Sequence, residues 1–222
     1  MKLPIDLVSD FVCPWCFIGK TRLDAALARL QSIRPDVEPQ VNWLPFFLNP
    51  DTPPEGEPYR AFLEAKFGGP QRVDEMLGRI AEAAVPDGVQ FAFDRIRTRP
   101  NTLDAHRLCY RAQSAGWAPE RVRALAGALF AAHFQQGREL GDTATLADIA
   151  ATCGERHEEV LDYLDGTEHT AEVQHLARHM SAQGIQGVPF FIFNHKLAVS
   201  GAQPSAVLVQ AMLQSLEAGE PS

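Results

Sequence analysis

Along the chain the spacing of apolar residues changes character twice. Ile5-Asp6-Leu7-Val8 is a short β-type run that leads straight into Phe11-Val12-Cys13-Pro14-Trp15-Cys16. Beyond it, Leu23, Ala26, Leu27 and Leu30 fall at i, i+3, i+4 and i+7, one face of a helix that has to stop before Pro35. Val41-Asn42-Trp43-Leu44-Pro45-Phe46 is the next strand candidate. The result is a β-α-β unit, an arrangement that favours a parallel pair. Asn49-Pro50-Asp51-Thr52-Pro53-Pro54-Glu55-Gly56 is too rich in proline for regular structure and reads as a linker.

From about Pro58 to Gln183 the period is helical. Val122, Leu125, Ala126, Leu129, Phe130, His133 and Phe134 form one continuous apolar stripe. Helix starts are expected at Asn101, which follows Pro100, and at Asp142 or Thr143. Strand character then returns in Val188-Pro189-Phe190-Phe191-Ile192-Phe193 and, after a turn at Asn194-His195, in Leu197-Ala198-Val199. The two runs are close enough to pair as an antiparallel hairpin, and a last helix is expected from about Pro204 to Leu216. Strands at both ends can bury their apolar faces only in one shared sheet, so the helices between them are an insertion. The expected class is α/β, with residues 1–57 and 184–222 forming one sheet-containing domain around an all-helical insertion at 58–183.

Composition narrows the function. With 222 residues, 45% of them hydrophobic, there is material for a substantial core. A net charge of −8 leaves no basic stripe to neutralise a phosphate backbone, so nucleic acid is not an expected partner. Nowhere do 18 apolar residues run together, and Met1-Lys2-Leu3-Pro4-Ile5-Asp6 has no apolar leader core. The expectation is a cytoplasmic protein without a membrane partner.

Four cysteines, two of them three apart and the others isolated at Cys109 and Cys153, are unlike the dense framework of small secreted domains. The close pair reads as chemistry. At a helix N-terminus, free N–H groups and the positive end of the helix dipole stabilise a thiolate, lowering the pKa expected for Cys13 and marking it as a nucleophile. Pro14 suits the first helical turn because it lacks only an N–H that would be unpaired there. Cys16, further into the helix, can attack a mixed disulfide and release the partner as a thiol. The competing interpretation, half of a zinc site, needs two more ligands. Cys109 and Cys153 are not spaced as a second motif and both fit apolar helical stripes.

A second marker is Gly187-Val188-Pro189-Phe190, where proline opens a strand, a position it tolerates only at an edge or a bend. Taken with Asp10-Phe11-Val12-Cys13-Pro14-Trp15-Cys16-Phe17-Ile18-Gly19, Val199-Ser200-Gly201-Ala202-Gln203, and Arg99-Pro100-Asn101-Thr102 with His106, the chain resembles the DsbA family, and within it the FrnE-like branch. The resemblance covers nearly the whole chain. It implies a thioredoxin-like fold with a large helical insertion, a nucleophilic first cysteine, and a cis proline at Pro189 facing the dithiol. It also implies that Pro14, Trp15, Val188 and Pro189 contact substrate, the residue before the proline offering its backbone. Partners would be protein or small-molecule disulfides and thiols, glutathione among them, with no cofactor. Pro14-Trp15 lacks the histidine of the strongly oxidising members, which implies a less oxidising couple. The chain could be monomeric or a homodimer.

Kappa-class glutathione transferases and 2-hydroxychromene-2-carboxylate isomerases share the helical insertion. They usually carry serine where Cys13 stands and an acidic residue before the last helix, where this chain has Ala202-Gln203. A purely binding role would use Phe11, Trp15 and Phe17 as an apolar surface, but Phe17 and Ile18 fit the helix core, leaving Trp15 as the residue expected to be exposed. His175 and His179 are spaced i, i+4, with His169 nearby, yet Glu172 and Arg178 beside them mark a solvated face rather than a metal site.

Overall fold

A computed structural model describes residues 1–217 of the chain. Strand β1 (Lys2–Ser9) is followed by helix α1 (Pro14–Ile33) and strand β2 (Glu38–Pro45), which pairs parallel to β1 from Lys2 opposite Glu38 to Ser9 opposite Pro45. The helix ends ahead of Pro35, where the clash of the proline ring with the preceding backbone disfavours helix. Near the other end of the chain, β5 (Phe190–Phe193) pairs antiparallel with both β1 and β6 (Leu197–Ser200), giving the sheet order β2-β1-β5-β6. Strands β5 and β6 are joined by a turn in which Asn194 and His195 both have positive φ, 52° and 55°, and the Lys196 N–H donates to the Phe193 carbonyl at 3.0 Å. Helix α9 (Ser205–Glu217) follows and packs against α1.

Strand β1 lies in the middle of the sheet; one of its faces is buried along its length and the other at its C-terminal end. Leu3, Ile5 and Leu7 enter the main core, whereas Val8 points to the other side and packs in a smaller cluster with Phe46, Met180 and Ile185. Strand β2 has an outer edge, and a side chain caps it. The Gln113 amide accepts from the Trp43 N–H at 2.6 Å and donates to the Trp43 carbonyl at 3.1 Å, bonding the backbone as a neighbouring strand would.

Between the two halves of the sheet run α2 (Tyr59–Phe67), α3 (Pro70–Ala84), α4 (Leu103–Ser114), α5 (Pro119–Phe134), α6 (Thr143–Thr152), α7 (His157–Asp165) and α8 (Thr170–Ala182). The expected helix starts are close to those observed. Asp142 caps α6 by accepting from the Thr145 N–H at 3.0 Å, and Asn101 accepts from the Leu103 N–H at the start of α4. Phe130 of α5 joins the insertion to the sheet-bearing part. Its ring lies 5.0 Å from Phe11 and 5.4 Å from Phe17 between centroids, and its fully buried side chain also meets Trp43.

Two details depart from the sequence reading. The helical stretch contains a small strand, β4 (Thr98–Arg99), paired antiparallel with β3 (Glu57–Pro58). The proline-rich stretch from Asn49 to Gly56 is irregular, as its composition requires, but it is not a loose linker. Thr52 is buried there, accepts from Arg99, and receives the Asn101 amide on its carbonyl at 2.7 Å. Proline content reports where backbone regularity fails; it carries no information about side chains that hold an irregular segment down. Among the described residues no helix is long and apolar enough to cross a membrane.

Candidate active site

The loop from β1 into α1 puts Cys13 at the N-cap of that helix, with extended backbone angles (φ −97°, ψ 110°), and Pro14 at its first turn. The Cys13 N–H donates to the Asp10 carbonyl at 3.1 Å, while its own carbonyl accepts from the Cys16 N–H at 3.0 Å. The first turn of α1 bears no acidic residue to offset the positive end of the helix. Cys13 Sγ donates to the Val188 carbonyl across 3.6 Å, joining residues 175 positions apart in sequence. Cys16 has no exposed surface. Burial pushes its thiol well above the ordinary cysteine range, the neighbouring Cys13 pushes it the same way, and Ser9 and the Asp10 backbone oppose weakly. The two cysteines are free thiols with different surroundings.

The strand that faces the dithiol comes close because α1 carries glycine at position 19. A Cβ built there would stand 2.7 Å from Pro189 Cγ and 3.3 Å from the Phe191 ring. The Val188–Pro189 peptide is cis, and the Pro189 carbonyl accepts from the Gly201 N–H at 2.8 Å, which holds this bend against the end of β6. Pro189 itself precedes β5, which starts one residue later at Phe190, so the strand is shorter than its apolar run. Proline has no N–H to contribute to a ladder at that position.

Beneath the loop sits a polar cluster to which the sequence reading assigned no role. Asp10 is buried; its Oδ1 accepts from the Thr102 hydroxyl at 2.8 Å and its Oδ2 from the Leu48 N–H at 2.9 Å. His106 Nε2 stands 3.6 Å from Oδ1, and its ring packs 4.9 Å from that of Phe11. Thr102, the N-cap of α4, and His106, on the buried face of its first turn, thus anchor the dithiol loop to the insertion. The available signal was a polar pair at helical spacing, which without coordinates is indistinguishable from a solvated face.

Trp15, 38% exposed, stands at the mouth of a cavity of about 370 Å³ whose floor includes Cys13 and Val188. Apolar side chains from α2 and α3 form the facing wall. Phe11, Phe17 and Ile18 are buried instead, so of the aromatic residues around the motif Trp15 is the one presented to solvent. The other cysteines lie apart from this site. Cys109 is buried in α4, and burial, with Cys153 nearby, pushes its thiol up. His175 and His179 stack on one another with centroids 6.4 Å apart, and His179 Nε2 meets the Gln183 amide.

A close dithiol at a helix N-terminus, facing a bent strand within a four-stranded sheet, defines a thioredoxin-like thiol site. Residues 4–213 match the DSBA-like thioredoxin domain family. The chain belongs to that family of thiol–disulfide oxidoreductases. It is 30% identical to a probable DsbA oxidoreductase, SCO1869, from Streptomyces coelicolor, whose crystal structure it matches over 99% of this chain and 92% of that one with a TM-score of 0.84. It is also 28% identical over 154 residues to the uncharacterized protein YwbO of Bacillus subtilis, covering 69% of this chain and 68% of that protein. The fold recurs at 19% identity in the cytosolic disulfide reductase DsbM from Pseudomonas aeruginosa, solved with GSH (TM-score 0.63, 95% and 99% coverage).

Proposed function

We propose that the chain exchanges disulfides through the Cys13-Pro14-Trp15-Cys16 dithiol, with Cys13 as nucleophile and Cys16 as resolving cysteine. The observation that carries this reading is the placement of Cys13 Sγ at the N-cap of α1, 3.6 Å from the Val188 carbonyl and on the floor of an open cavity. The positive end of the α1 dipole, with no acidic residue in the first turn to offset it, favours negative charge on that sulfur. The thiolate attacks one sulfur of a substrate disulfide in line; a Cys13–S bond forms and the other substrate half leaves as a thiolate. Cys16 then gives up its proton, attacks Cys13 Sγ and expels the second half, so two electrons pass from the dithiol to the substrate. The reverse sequence oxidises a substrate dithiol. Val188 and Pro189 align the substrate backbone, and Pro14 and Trp15 border it.

Substrates in this reading are protein or small-molecule disulfides and thiols, glutathione among them, and the compartment is the cytoplasm. An alternative, a glutathione-dependent isomerase or transferase, would need an acidic group ahead of α9 for the glutathione ammonium. At that place the Ala202 carbonyl is taken up by Arg22 and the Gln203 amide folds back onto the Ser200 carbonyl. Insulin reduction in the presence of dithiothreitol tests the proposal. Turnover well above the uncatalysed rate is expected; conjugation of an electrophile to glutathione with no disulfide exchange would favour the transferase class. A redox titration of the Cys13/Cys16 couple against glutathione then gives the direction of electron flow.

A further inference from the structure

The cavity over Cys13 is asymmetric in its chemistry. Phe62 and Phe67 of α2 and Met76, Leu77 and Ile80 of α3 make one wall; Trp15 and Val188 face them. The polar side chains that line it are Asn49, Tyr59, Lys66 and Arg99, and no carboxylate lines it. Arg99 is already paired with Glu57 at 3.1 Å. Lys66 instead donates to the neutral Asn49 side chain at 3.0 Å and lies over the Phe62 and Phe67 rings, and among the described residues it stands in no ion pair. Its charge is therefore available at the rim of an apolar bowl, in a protein whose net charge is −8.

Resting on the disulfide-exchange reading, we propose that this cavity selects the substrate: a small disulfide or thiol with an apolar, preferably aromatic, body and a carboxylate that Lys66 receives. A volume of about 370 Å³ suits a compact organic molecule, and apolar walls with one placed charge are the usual composition of such sites. Removing apolar surface from water supplies the affinity and the Lys66 charge fixes which end enters. In the exchange step the sulfur–sulfur bond of the bound disulfide breaks as the Cys13–sulfur bond forms. The outgoing half departs as a thiolate, and the Cys13/Cys16 dithiol supplies both electrons.

The test mixes reduced protein with three disulfides, each rate divided by that of 2-mercaptoethanol with the same compound, which removes intrinsic reactivity. 5,5′-Dithiobis(2-nitrobenzoate) against 3,3′-dithiodipropionate reads the apolar body at equal charge, and 3,3′-dithiodipropionate against cystamine reads the charge. Both ratios are expected to favour the first compound by about tenfold, and Lys66→Glu to lower the anion-to-cation ratio by about tenfold at low salt. Ratios within about twofold of the free thiol, or a charge ratio that Lys66→Glu does not move, overturn the proposal while leaving disulfide exchange standing. Binding of 4-nitrobenzoate, which has no sulfur, is read independently by quenching of Trp15 fluorescence, with Trp15→Phe as the control. Saturation that Lys66→Glu weakens supports the site even if no disulfide reacts. No saturation up to about 10 mM overturns it whatever the exchange activity.

Discussion

The chain holds two pairs of cysteines in two different settings, and helix polarity separates them. Cys13 is the N-cap of α1, at the positive end of the helix dipole and with no acidic residue in the first turn. Cys153 is the C-cap of α6, where the unpaired groups are carbonyls, which disfavour negative charge. The inner members differ as well. Cys16 lies one turn below a sulfur that lines a cavity, whereas Cys109 lies buried mid-helix in α4. A thiol becomes chemistry through its position on a helix and its access to a partner, not through being a cysteine.

The largest effect belongs to the first pair. Cys13→Ser is expected to lower insulin reduction by about 1000-fold or more, because the proposed nucleophile is removed. Retained activity, or a comparable loss in Cys153→Ala, would break the distinction between the pairs.

Next is the contact that brings the Val188 carbonyl to the site. Gly19→Val places methyl groups where Pro189 already stands, so a loss of about 1–3 kcal/mol in stability is expected from denaturant midpoints. Exchange should also slow in whatever folded protein remains. An unchanged midpoint would mean that the strand can retreat without cost.

The core behind the dithiol has its own pH response. Burial lowers the His133 pKa to about 4, so the folded protein keeps the ring neutral while the unfolded chain takes up a proton near the ordinary value of about 6.5. Above that value His133 makes no difference. As pH falls from about 6.5 to about 4 the unfolded state binds more protons, and stability should drop by on the order of 3 kcal/mol. In His133→Leu that part of the acid sensitivity is expected to vanish from urea midpoints measured between pH 7 and pH 4.

Smallest are changes to the second pair. Cys109→Ala and Cys153→Ala should leave disulfide exchange within about twofold, Cys109→Ala costing about 1 kcal/mol of stability for the small void it opens. A larger kinetic effect would show that the helix-end argument omits a role for these thiols.

The order of the fold could be read from spacing, because apolar periods are local. The strand, dithiol, helix and strand at the start, and the hairpin and helix at the end, follow from runs such as Ile5-Asp6-Leu7-Val8 and from the turn at Asn194-His195. The facing of Cys13 and Val188 was reached through resemblance to a family, since nothing local joins residues 175 apart. Thr52, Thr102 and Lys66 were not legible as participants. Each acts through a partner distant in sequence, Arg99 or Asp10 or the cavity wall; Thr52 and Lys66 have no period to betray them, and the spacing of Thr102 and His106 fits a solvated face equally well. Gly19 was visible as a letter, but its reason is the side chain of Pro189, which only packing reveals.

The most direct test of the proposed division of labour between the thiols uses Cys16→Ser, which removes the proposed resolving thiol. After mixing with a disulfide peptide, peptide mapping by mass spectrometry should find the adduct on Cys13, in near-stoichiometric yield and well ahead of any label on Cys109 or Cys153. Label appearing first on Cys153, or no adduct on Cys13 at all, would contradict the assignment of Cys13 as the nucleophile.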